Sequence, residues 1–298
     1  MQHPSIELNE LSFSYGDLNF DFGSAKVQPG QIVVLVGPSG SGKSTLMRLL
    51  RGELMPNSGS VQVLGQKVQT RKERLVLDES KAGWVPQLDD LQGMLNVEEN
   101  IGHHILRMEA EAREKRIGAL VQAMHLGPYA KQKVKQLSGG QRQRVSIAKA
   151  MAGMPPVLLM DESLAQLDLR TKSAILLDLK AMVRQEGVAA ILVLHDPADA
   201  LMIADELWVV ENHKLVRKAP PKEVVEDPQS YAIAGLFDYV NVVPKGAELP
   251  GDWRLEGEEQ WLYAHELPDL PWAPLDSYET PSGKVTIWIW EGLKLIQK

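Results

Sequence analysis

Apolar positions follow two rhythms along the chain. IVVLV (32–36), VLLM (157–160) and VAAILVL (188–194) are continuously apolar over the length of a strand, the pattern of strands buried on both faces. TLMRLLRG instead spaces Leu46, Leu49 and Leu50 along one face, which predicts a helix stopping near Gly52. SIELNELSFSYG alternates in two short runs, read as two strands near a sheet edge, and VQVLGQKV reads as another strand. From about Leu88 to Gln136 the pattern is mainly helical with mixed charge, and PVLLMDES and VAAILVLHD are separated by a further helical stretch. Strands alternating with helices predict an α/β layer on a mainly parallel sheet. In such sheets ligands sit beyond the carboxyl ends of strands, where Gly37, Asp161, Glu162 and His195 fall here.

Around Tyr239 the pattern changes. The remaining segment is rich in proline and acid, holds five of the seven tryptophans, and contains the alternating run KVTIWIWEG behind a Ser-Gly turn signal. It predicts a small all-β appendage over 239–298 behind a domain over 1–238, with a helical subdomain at about 88–136 inside the latter.

Composition removes several classes of function. With no cysteine, there are no disulfides, thiol nucleophiles or cysteine metal sites. A formal charge of −7 gives no general basic footprint, so no nucleic-acid partner is expected. The opening MQHPSIELNE has neither a basic start nor an apolar run, and the apolar runs are far short of the ~20 residues that span a bilayer. A chain of this kind serves a membrane only through partners. His103 and His104 show no metal-like spacing and are read as structural.

The strongest chemical signal is GPSGSGKST, Gly37 to Thr45, between a predicted strand and a predicted helix. This is the phosphate-loop pattern, in which glycines let the backbone wrap a phosphate chain. Gly37, Pro38, Ser39, Gly40, Ser41, Gly42, Lys43, Ser44 and Thr45 are therefore candidate nucleotide-binding residues. Lys43 supplies a mobile charge to the terminal phosphates and Ser44 a hydroxyl to Mg²⁺. The strand PVLLM delivers Asp161 as a second Mg²⁺ partner and Glu162 as a residue to orient or deprotonate an attacking water. ATP and Mg²⁺ are the expected ligands.

A second anion-binding signal lies in KQLSGGQRQRVSIAKA, where Ser138, Gly139 and Gly140 run into an amphipathic helix. Exposed N–H groups at that helix start attract an anion, while Arg142 and Arg144 add positive charge to an end that already repels it. The sequence thus calls for a nearby anion in the working state.

LSGGQRQRV together with GPSGSGKST and LLMDES resembles the ATPase subunit of ABC transporters, in the family's order, over residues 1 to about 238. The resemblance implies two ATPase domains meeting head to tail, as a homodimer or as a pair with a paralogue, with Ser138, Gly139, Gly140 and Gln141 of one closing over ATP held by the other. It implies roles for four further residues: Tyr15 stacking on adenine, Gln87 sensing Mg²⁺ and the reactive water, Asp168 signalling across the dimer, and His195 contacting the γ-phosphate. One departure stands out, since Ser163 follows Glu162 where the family usually has proline, and a looser turn beneath Glu162 is expected. The C-terminal run resembles the exit into a regulatory β-domain of importers for ferric iron, oxyanions, polyamines and similar solutes. The implied setting is the cytoplasmic face of the cell membrane, with transmembrane permease subunits and an external solute-binding protein as partners. The alternatives implied by the same motifs are an exporter or lipid-trafficking ATPase and a soluble family member.

Overall fold

The structure is a computed structural model that describes residues 4–69, 81–227 and 229–237, and beyond these six strands between residues 239 and 297. The chain divides into two units, Met1–Pro220 and Pro221–Lys298.

The first unit opens with the hairpin β1 (Ile6–Tyr15) and β2 (Leu18–Val27), and β3 (Ile32–Val36) then leads through the glycine loop into α1 (Lys43–Leu50). β4 (Ser58–Val63), β5 (Gln66–Lys67) and β6 (Gly83–Val85) follow, then the helices α2 (Val97–Gly102), α3 (Ala110–Ala123) and α4 (Gly139–Met151). The unit closes with β7 (Val157–Asp161), α5 (Leu169–Glu186), β8 (Ala189–Val193), α6 (Pro197–Ile203), β9 (Glu206–Glu211) and β10 (Lys214–Ala219).

Ten strands form one sheet in the order β5-β4-β1-β2-β10-β9-β3-β8-β7-β6. The run β9-β3-β8-β7-β6 is parallel throughout, and the three apolar runs read from the sequence are its centre, β3, β8 and β7. Every residue of β3 and β8 is buried, as strands covered on both faces require. The other half is built from antiparallel pairs of β1 with β2, β1 with β4, and β9 with β10. Leu46, Met47, Leu49 and Leu50 of α1 pack into the same core as Phe22, Leu35 and Trp208. Each such side chain stabilises the fold by about 1.5–3 kcal/mol on burial.

Two local expectations change. SIELNELSFSY is one strand, not two: the break in its alternation is a bulge at Glu10, where φ is +44°, and the strand lies inside the sheet. VQVLGQKV is a hairpin, because Leu64 and Gly65 both have positive φ, the backbone a two-residue turn needs. The region from Leu88 to Gln136 carries α2 and α3 and three single 3₁₀ turns. There α2 begins with a capping box between Asn96 and Glu99.

The second unit comprises α7 (Pro221–Glu226), α8 (Tyr231–Phe237) and β11 (Tyr239–Val243), β12 (Trp253–Glu256), β13 (Glu259–Ala264), β14 (Ala273–Thr280), β15 (Gly283–Trp290) and β16 (Leu293–Gln297). Its strands form a separate antiparallel sheet in the order β12-β13-β11-β16-β15-β14. The alternating run KVTIWIW lies in β15, while Ser282 of the turn signal falls outside the described residues.

Candidate functional site

Four neighbouring parallel strands, β3, β8, β7 and β6, end on the same side of the sheet. Within two residues of those ends stand Gly37, His195, Asp161 with Glu162, and Gln87. The parallel register alone assembles residues that are up to 158 positions apart in the sequence, from Gly37 to His195.

The loop after β3 needs its glycines for different reasons. Gly37 has φ +148°, and a Cβ there would stand 2.0 Å from the Val210 carbonyl oxygen, so both conformation and space exclude a side chain. Gly42, the N-cap of α1 at φ +113°, has the Phe20 ring against it, where a Cβ would be 3.0 Å from Cδ1. Gly40, at φ +78°, faces open space. The Lys43 ammonium donates to the carbonyls of Gly37 (2.8 Å) and Pro38 (2.9 Å), closing the loop on itself. The Ser41 hydroxyl is buried and has no hydrogen-bond partner among the described residues.

Lys43, Asp161 and Glu162 share one electrostatic neighbourhood. Burial lowers the Lys43 pKa, against the pull of Glu162 and Asp161. Burial, and after it the Glu162 charge, hold the Asp161 carboxyl above its ordinary range despite attraction to Lys43. A half-buried cation beside two carboxylates around an open glycine cradle fits a phosphate chain and its metal ion, which would supply the missing charges of each sign. Ser44 is the first hydroxyl of α1 and Asp161 the last residue of β7, and these are the residues that would hold the metal.

Glu162 itself has φ +43°, a conformation that costs a residue with a side chain of order 1–3 kcal/mol and recurs where geometry serves function. Its N–H is held by the Val193 carbonyl of β8 at 3.0 Å, and its own carbonyl accepts from Ala165 at 3.4 Å. Hydrogen bonds thus hold the turn that the absence of the family's usual proline was expected to loosen, and the buried Ser163 hydroxyl finds no partner among the described residues. The side chains of Gln87 and His195 are exposed and make no hydrogen bond among the described residues. Tyr15, at the end of β1, is 73% exposed.

Ser138 to Gln141 form a second cluster. Ser138 caps α4: its hydroxyl accepts from the Gln141 N–H (3.3 Å), and the Gln141 side chain accepts from the Ser138 N–H (2.8 Å). The N–H groups of Gly139 and Gly140 belong to the first turn and have no partner inside the helix. α4 packs on α5, whose N-cap is Asp168, and the Asp168 carboxylate accepts from the Thr171 N–H at 3.0 Å. That bond keeps the Asp168 pKa below its ordinary value.

Arg142 and Arg144 are offset within the chain itself and not by an outside phosphate. Arg142 pairs with Asp89 at 3.2 Å and Arg144 with Asp178 at 2.5 Å. The anions that offset these cations are the chain's own, so the cluster's claim on an external anion rests on the glycine N–H groups. Sequence reading also missed Phe20 beneath Gly42, Thr171 against Gly140, and a cation–π pair of Arg51 over Trp84 at 4.0 Å. Each joins segments far apart in the sequence, and none has a local signature. Among the described residues no group of His, Asp and Glu forms a metal cluster, and none of the described helices is long and apolar enough to cross a membrane.

Known proteins resemble this chain over most of its length. Residues 21–165 match the family profile described as ABC transporter. The sulfate/thiosulfate import ATP-binding protein CysA of Gloeobacter violaceus is 35% identical over 249 residues, covering 82% of this chain and 71% of that one. The spermidine/putrescine import ATP-binding protein PotA of Thermobifida fusca is 31% identical over 260 residues, covering 84% of this chain and 66% of that one. Among solved structures, cbiO1 from Clostridium perfringens, part of the ABC transporter complex cbiONQ, superposes with a TM-score of 0.68 at 26% identity, over 76% of this chain and 92% of that one. The ATP-binding cassette MJ0796, in a dimeric post-hydrolysis state with ADP and Pi, gives 0.59 at 27% identity, over 72% and 98%.

Proposed function

Since the chain belongs to the ABC transporter family of ATP-binding proteins, whose members hydrolyse ATP, we propose that it is the ATP-hydrolysing subunit of an importer for a small charged solute, working as a head-to-tail pair of identical chains. The observation that carries the ATPase reading is the convergence of Gly37, Asp161, Glu162, His195 and Gln87 at the ends of adjacent parallel strands. The importer reading draws on relatives named for import of sulfate/thiosulfate and spermidine/putrescine, and the solute is assigned to the oxyanion or polyamine class on the same ground.

In the proposed mechanism the backbone N–H groups of Pro38–Thr45, proline excepted, and the Lys43 ammonium bind the phosphates. Tyr15 offers its exposed ring to the base. Ser44 and Asp161 would hold Mg²⁺, which would supply charge neutralisation for the phosphate oxygens. Glu162 orients the attacking water and accepts its proton, while Gln87 and His195 position the water and the γ-phosphate. The N–H groups of Gly139 and Gly140 cover the γ-phosphate bound to the partner chain, and Asp168 reports its arrival. Closure of the pair is a population shift, since those contacts exist only in the closed state.

A cavity of about 520 Å³ is lined by Arg51, Trp84, His104 and Met108 among others. It is the proposed seat for a cytoplasmic segment of the permease. The test is purification of the chain from detergent-solubilised membranes with identification of what accompanies it. A multi-span protein, and ATPase activity raised by sulfate or spermidine with the matching solute-binding protein, is the expected result. Recovery with soluble proteins alone would overturn the importer reading.

A further inference from the structure

Lys172 lies one turn into α5, four residues beyond the N-cap Asp168, and its side chain is only 12% exposed. Its ammonium donates to Asp196 at 3.0 Å and to Asp199 at 2.5 Å. Asp196 directly follows His195 and is the N-cap of α6, accepting from the Ala198 N–H at 3.0 Å. Asp199, one turn further on, is 5% exposed in its side chain. One partly covered cation therefore ties the helix that starts at Asp168 to the helix that starts just after His195.

The arrangement matters because nothing else described holds the His195 ring. Its side chain makes no hydrogen bond among the described residues, so the ring goes where the backbone between β8 and α6 takes it. β8 fixes one side of that backbone through its ladders with β3 and β7. α6 must fix the other, and a helix of seven residues is too short to be stable alone. α6 is bonded to α5 at both ends, by Lys172 at its start and by Lys180 donating to the Met202 carbonyl at 3.2 Å near its end. Only the first of these sits at the His195 end.

We propose, resting on the ATPase reading above, that Lys172 is a positioning residue: its bonds to Asp196 and Asp199 set the His195 loop in register with the Asp168 end of α5. The cross-dimer contact at Asp168 and the γ-phosphate contact at His195 then form together. Removing the ammonium leaves Asp199 buried without a counter-ion, and α6 has to shift to rehydrate it. A displacement of about an ångström at a positioning group costs up to ~10²-fold in rate. The phosphate loop is untouched, so ATP affinity stays.

The experiment uses the full chain and steady-state ATPase kinetics with Lys172→Met and Lys172→Arg. Lys172→Met is expected to lower kcat on the order of 10- to 100-fold with KM for ATP within about twofold, and Lys172→Arg to recover most of the loss. If Lys172→Met fails to fold, the triple variant Lys172→Met/Asp196→Asn/Asp199→Asn removes all three charges of the bridge, the buried Asp199 included, and it should fold and still be slow. A second readout is the ATP-dependent dimer of Glu162→Gln measured by gel filtration, which Lys172→Met should weaken and a merely stabilising bridge would not. A folded Lys172→Met or triple variant at the wild-type kcat overturns the inference while leaving the ATPase reading intact. A wild-type chain without ATPase activity overturns both.

Discussion

Gly140 on α4 faces the methyl group of Thr171 on α5 so closely that a Cβ at position 140 would stand 2.5 Å from it. The first turn of α4 can reach its place only because that position carries no side chain. Gly139 is less constrained, since a Cβ there would meet Leu167 at an ordinary 3.5 Å. Gly140→Ala should push the start of α4 away from α5 and carry Ser138 with it. The expected outcome is ATP binding to the single chain within about twofold of wild type and ATPase activity lower by at least about tenfold, as for a group displaced from its working geometry. Thr171→Ser removes the offending methyl and keeps the hydroxyl, so Gly140→Ala/Thr171→Ser should regain most of the activity. Absence of any rescue would show that the loss has another cause.

Glu162→Gln keeps the size of the side chain and removes its ability to take a proton. Loss of a general base typically costs ~10²–10⁴ in rate. The variant should bind ATP, show that loss in single-turnover hydrolysis, and elute as a dimer when ATP is present. Hydrolysis at the wild-type rate would remove Glu162 from the base role and leave the dimer question open to the same column.

Gly37 and Gly40 separate conformational strain from crowding. Both have φ values that side chains avoid, but only Gly37 has backbone in its way, at 2.0 Å from the Val210 oxygen. Gly40→Ala should cost about 1–2 kcal/mol in urea unfolding of the nucleotide-free chain, the cost of a left-handed residue. Gly37→Ala should cost clearly more, because β9 must also move away from β3. Equal costs would mean that the loop relaxes away from Val210 without resistance.

The parts of this architecture visible in the sequence are those with a local rhythm or a fixed spacing. β3, β7 and β8 were legible because strands buried on both faces leave unbroken apolar runs, and the loop from Gly37 to Thr45 because phosphate binding needs glycine at set positions. What stayed hidden depends on which segments meet. Nothing near Arg142 in sequence announces Asp89, and nothing near Lys172 announces Asp199. The spacing of Asp196 and Asp199 does place two carboxylates on one helix face, which calls for a cation without naming it. Turn chemistry was the other gap. Glu10 and Leu64 occupy positive φ without being glycine, so a bulge read as a boundary between strands, and a hairpin read as one strand.

Asp161 links stability to function through pH. Burial, followed by the Glu162 charge, raises its pKa in the folded chain above the unfolded value. A carboxyl whose folded pKa is raised destabilises the fold when ionised. That cost is fully present above the folded pKa, declines as pH falls through it, and is gone below the unfolded value. Asp161→Asn removes a charge the empty site disfavours, so the nucleotide-free variant should melt at a higher temperature than wild type at pH 7. The difference should shrink as pH is lowered toward the ordinary carboxylate range. The same variant should lose most of the additional stabilisation that Mg²⁺ and ATP together give the wild-type chain, because that increment depends on ligand affinity. Thermal melts of both chains from neutral pH down into the ordinary carboxylate range, with and without nucleotide and metal, contain the whole test. A variant less stable than wild type at neutral pH would mean that attraction to Lys43 outweighs burial, and Asp161 would then support the empty fold instead of straining it.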